Sequence, residues 1–236
     1  MASLAAADEG EEGRAELSEF LPFGGNFRSL DLEKMCERWA ALPDLPLEDA
    51  TEEETAKVEV LRAAVMKAKG LSEPPSDWTK HHYLRGQMLC YLRARDGDLK
   101  LATERALECI EYLSNVYKGA VQYESYPQSK RDLWEANFPQ GQFGKDKRGA
   151  SVLYFKYGKA DQGALVRNLG YEFFVAMDWR RAMYYWDTLF QEGVDRGVFL
   201  QGRSWVLDCE GVSYSKIMGS RWIAPKQKAN FPSGEQ

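Results

Sequence analysis

Histidine is nearly absent from this chain: His81 and His82 are the only two in 236 residues. Adjacent helical positions point about 100° apart, so the pair does not share a face. No acidic or cysteine side chain stands at metal-ligand spacing from them, which predicts no metal site. Two histidines without an identifiable partner also leave little material for acid–base or triad chemistry. Cysteine is scarce as well. Cys36, Cys90, Cys109 and Cys209 are scattered without a CxxC pair, the pattern of reduced, buried thiols in a cytosolic protein. Positive charge is not in surplus, with 31 Lys and Arg against 36 Asp and Glu. General nucleic-acid binding needs a phosphate-neutralising excess that this balance does not supply. No run of eighteen apolar residues occurs, so no membrane-spanning helix is expected. The first residues, with Ala5-Ala6-Ala7-Asp8-Glu9, lack the basic start and apolar stretch of a secretory signal. Internal repeats and low-complexity tracts are missing too.

Two short strings have a chemical look and a plainer reading. Ser213-Tyr-Ser-Lys216 matches the SxxK of some serine acylases, but their companion motifs are absent; a turn at a helix start accounts for it. Gly141-Gln-Phe-Gly144 is no phosphate loop, since no GK[ST] follows. No catalytic residue and no cofactor is therefore expected, and the chain reads as a non-enzyme.

What is present is apolar and aromatic material: 44% hydrophobic and 13% aromatic residues, enough for a packed core. Residues 1–19 are small and acidic and read as a disordered tail. Asp31 caps a short helix from Leu30 to Ala41, with Leu32, Met35, Cys36 and Trp39 on one face. Thr51 and Glu54 form a capping box for a helix to Lys69, which Gly70 closes. Trp78 to Arg93 reads as a further helix, and Asp98 caps another from Leu99 to Tyr117. This succession predicts antiparallel helical hairpins over 20–121.

The pattern changes near Pro127. Ser151 to Tyr157 and Arg203 to Asp208 read as strands. Between them Tyr171 to Gln191 is a long helix with a broad aromatic face. Strand, helix, strand implies a parallel pair joined by a crossover. The expected fold class is mixed α/β, a helical bundle followed by a lobe of few strands over 122–219 and a polar tail over 220–236.

Four phrases stand in a suggestive order: Tyr91-Leu-Arg-Ala-Arg95 with Asp96-Gly97-Asp98, Phe138-Pro-Gln140, Asp146-Lys-Arg-Gly149 and Asp208-Cys-Glu-Gly-Val-Ser213. From about Trp78 to Ser213 this order resembles the Sec14-like (CRAL-TRIO) lipid-binding proteins. The helices from about residue 51 resemble the helical region that precedes the family's lobe. The resemblance implies an apolar pocket that holds a phospholipid or another hydrophobic ligand and exchanges it with membranes. The partners it implies are that ligand and, transiently, a membrane surface, for a protein of the cytoplasm. Moving roughly thirty methylenes into water costs about 24 kcal/mol, so such a carrier needs a cavity as apolar as a bilayer.

On the resemblance, Arg93 and Arg95 are the head-group candidates, since guanidinium suits bidentate phosphate contact. The plainer reading is a helix C-terminus that favours positive charge. Tyr154, Phe155, Phe173, Phe174, Tyr184 and Trp205 are the candidates for the acyl lining, against the plainer reading of a solid core. The positions that carry small hydroxyl residues in phosphatidylcholine-binding members are Arg203 and Trp205 here, which argues against that lipid. The family continues for roughly a hundred residues past the Gly-Val-Ser phrase, so the lobe is expected to be truncated. The alternative reading is then a non-binding interaction module, whose uncovered sheet edge needs a protein partner or self-association.

Overall fold

The computed structural model describes residues 30–138, 140–160 and 162–212. The acidic tail over 1–19, the polar tail over 220–236 and the Ser213–Lys216 string lie outside the described residues. Among those described, the fold is mixed α/β: seven α-helices and a three-stranded sheet in the order β1-β2-β3.

The helix starts follow their side chains. Asp31 accepts from the Lys34 backbone N–H and opens α1, Leu32–Ala40. Thr51 and Glu54 exchange both hydrogen bonds of a capping box at the head of α2, Glu52–Ala68. The expected helix from Trp78 splits into a 3-10 segment, Trp78–Tyr83, and α3, Arg85–Arg93. Asp98 then caps α4, Leu99–Gln122, which runs well past the expected end.

Three elements escaped the sequence reading: α5, Gln128–Asn137; β1, Gln140–Lys145; and α6, Gln162–Leu169. β1 carries glycines and glutamines, which have little strand propensity. It forms because it can pair antiparallel with β2, Ser151–Lys156. The intervening turn depends on Asp146, whose Oδ1 accepts from the backbone N–H groups of Arg148 and Ala150. Gly149 completes it at φ 80°, a conformation that suits glycine.

After β2 the chain crosses through α6 and α7, Tyr171–Arg196, and returns as β3, Trp205–Asp208, parallel to β2. The crossover and the parallel pair are as expected. The division at 121/122 does not divide the packing. α4 and α7 lie against each other, and one core joins Met35 and Trp39 of α1 with Leu113, Phe138, Phe155 and Phe174. A second core holds α2, α3 and the first half of α4 through Val58, Leu61, Met88 and Ala102.

Two buried charges tie the layers together. Asp187 of α7 accepts from the Arg38 guanidinium and from Trp39 Nε1 at 3.0 Å, which fastens α1 to α7. Arg180 lies over the Tyr123 ring at 4.4 Å and donates to the Leu30 carbonyl at 2.7 Å.

Candidate functional site

α4 and α7 run antiparallel, and Trp179 of α7 fills the space beside Gly119 of α4. Beyond that crossing a cavity of about 530 Å³ opens between them. Its walls follow from helix periodicity. On α4 the lining positions are Arg105, Cys109, Tyr112, Leu113 and Val116; on α7 they include Asp178, Ala182, Tyr185, Trp186 and Leu189. Both sets step by three or four, so each is one helical face. His81, His82 and Tyr91 come from the 3-10 segment and α3. Phe199, Leu200, Arg203 and Trp205 enclose it from the segment that leads into and begins β3.

Most of this wall is apolar or aromatic. His82 Nδ1 is 2.6 Å from the Tyr91 hydroxyl. Burial pushes His81 down to about 4, and it pushes His82 well below its ordinary value, so both rings are neutral at pH 7. Burial raises Cys90 to about 11 and raises Cys109 as well, so both thiols stay protonated and weakly nucleophilic. The charged lining residues are Arg105, Asp178, Arg181 and Arg203, three cations to one carboxylate.

The residues singled out in the sequence are not gathered here. Arg93 does not line the cavity. Its Nε and Nη2 donate to the two carboxylate oxygens of Glu54 at 2.7 and 2.9 Å, and Nη2 also reaches the Asp49 carbonyl. It closes α3 onto the start of α2, a structural ion pair. Arg95 sits in the following turn and donates to the Ala94 carbonyl. Neither is positioned as a head-group ligand of this cavity.

Of the six aromatic candidates only Trp205 lines it. Phe155 stacks on Phe138 at 4.7 Å, and Phe174 stands edge-on to the same ring. Phe173 is edge-on to Tyr126 at 4.8 Å, and Tyr184 is buried in the same cluster. These four are filled core: Phe155 of β2 and Phe173, Phe174 and Tyr184 of α7 belong to one buried cluster. Tyr154 points to the other face of β2, where its hydroxyl donates to Asp208.

Sequence reasoning missed Arg181, Tyr185 and Trp186 as lining groups. The signal for Tyr185 and Trp186 was available in the α7 stripe that also holds Ala182 and Leu189. Their partner face on α4 was hidden by Cys109 and Arg105. No family model matches the chain, and no curated protein matches it.

Among the described residues no helix is long and apolar enough to cross a membrane.

Proposed function

We propose that this chain binds a phospholipid or another small hydrophobic ligand in the cavity between α4 and α7 and exchanges it with membranes. It acts by burial of its guest, without catalysis. The observation that carries this reading is the cavity itself. Its volume of about 530 Å³ lies within the roughly 300–1,000 Å³ of sites that hold drug-sized ligands. Its walls combine broad aromatic surface with a few polar groups, the composition such sites share. Trp186 and Trp205, 37% and 49% exposed, stand where the lining meets solvent and give a ligand apolar passage from a bilayer. The order of the four sequence phrases supports the same class.

Purified protein should carry a co-purifying hydrophobe, seen as a mass increment in native mass spectrometry and recovered by organic extraction. A preparation whose extract contains no hydrophobe, and which takes none up from vesicles, would overturn the proposal.

One observation favours a second reading, an interaction module. Among the described residues β3 ends the sheet, and its Trp205, Val206 and Leu207 are 49%, 46% and 54% exposed. An apolar edge of this kind templates association. Light scattering separates the two: ligand-free oligomers favour the module, and a ligand-loaded monomer favours the carrier.

A further inference from the structure

Arg181 of α7 and Arg203 of the segment before β3 reach the cavity from different elements and converge around Tyr185, whose hydroxyl feels both guanidinium charges. That hydroxyl donates to Gln140 Oε1 at 2.9 Å, and Arg181 Nη1 donates to the same oxygen at 3.1 Å. Arg181 Nη2 pairs with Asp178, and Arg203 Nη2 pairs with Glu192 at 3.1 Å. Three donor atoms are left over. Among the described residues, Arg181 Nε, Arg203 Nε and Arg203 Nη1 are buried with no hydrogen-bond partner, and the Arg203 side chain is only 3% exposed. Stranded donors of this kind are costly in a folded protein.

Every one of them is an N–H, so what completes them is an acceptor. Asp178 and Glu192 balance the two guanidinium charges, so what this end of the cavity has in surplus is N–H donors. The remaining wall, with Leu113, Val116, Leu189 and Leu200, is apolar. A donor-rich end on an apolar chamber is complementary to an amphiphile whose acidic head is small and planar. The guanidinium fork matches a carboxylate in this way.

We propose, resting on the reading that the cavity holds a hydrophobic guest, that the Arg181–Arg203 end is a subsite for the carboxylate of a single-chain fatty acid. Trp205 lies edge-on to Tyr185 at 5.8 Å and is half exposed.

The test is titration calorimetry of the delipidated full chain with laurate, methyl laurate and inorganic phosphate. Laurate should bind at one equivalent, at least tenfold more tightly than its methyl ester, and phosphate alone should not bind. Arg181→Met should cut laurate affinity at least tenfold and leave the ester unchanged. Arg203→Met strands Glu192, so the double variant Arg203→Met/Glu192→Gln is the second arm, with circular dichroism to establish that it folds. Equal affinity for laurate and its ester overturns the carboxylate subsite and leaves the cavity reading standing. Phosphate that binds as tightly as laurate also overturns it, because the site then takes an anion with no chain. If neither laurate nor its ester binds, the fatty-acid subsite is overturned, and the vesicle-uptake test alone decides the cavity reading. Folded variants of both arms that keep the laurate preference overturn the assignment to these two arginines.

Discussion

Trp179 occupies the space that any side chain on Gly119 would need: a Cβ built there lies 1.8 Å from Trp179 Cε3. The indole is held in place by its own hydrogen bond to the Tyr112 hydroxyl at 2.8 Å. This contact sets how closely α4 and α7 approach, and the cavity begins beside it. Gly119→Ala should therefore destabilise the protein. Alanine gains up to about 1 kcal/mol in helix propensity, but overpacking at a tight contact costs roughly 1–3 kcal/mol. Urea denaturation should show a lower midpoint with an unchanged slope, and a raised midpoint would refute the crossing geometry.

Asp187 and Arg38 should not be equivalent in mutation. Asp187 is buried and also serves Trp39 Nε1, whereas the Arg38 side chain is 38% exposed. Asp187→Ala leaves a buried indole N–H and a guanidinium without their acceptor, at a cost of about 2–4 kcal/mol. Arg38→Ala leaves the buried Asp187 carboxylate with only the Trp39 N–H and should cost more, as measured on the same denaturation curves.

Stability should fall in acid in two windows. The folded values of His81 and His82 are depressed by burial, so the fold binds neutral imidazole. Their contribution is complete above the ordinary value of 6.5. It is lost as pH falls toward about 4, by roughly 3 kcal/mol for His81. A lower window belongs to Glu54, held at about 2 by the Arg93 guanidinium and the Thr51 N–H, whose contribution is lost from 4.5 downward. Thermal melts at pH 7, 5 and 3 should show both steps, and His81→Gln should flatten the upper one.

Core and lining aromatics should separate cleanly. Phe174→Ala removes a buried ring and should cost about 3–5 kcal/mol. Ala182→Phe projects a ring into the cavity instead. It should lower ligand uptake at least tenfold while the melting temperature stays within a few degrees. A folded Phe174→Ala protein with normal stability but no ligand would reverse the assignment of the two faces.

The caps, the two β-branched and aromatic strands and the parallel crossover were legible in the chain, because each is a local rule. Asp31, Thr51 with Glu54, and Asp98 open helices where their oxygens meet free N–H groups. β1 was not legible. Gln140 to Lys145 has no strand character of its own and becomes a strand only because β2 offers it a ladder. Arg93 misled for a related reason: its charge suits a phosphate in isolation, and the fold uses it on Glu54.

The sequence by itself determined that α7 would be buried along a broad aromatic face. Only the tertiary structure decided which part of that face is filled and which is hollow. Phe173 and Phe174 meet other rings across a close gap, while Tyr185 and Trp186 face α4 beyond the Trp179–Gly119 crossing. Periodicity records the direction in which a side chain points along its own helix. The distance to whatever stands opposite is set by contacts between residues far apart in the chain, and no local pattern encodes it.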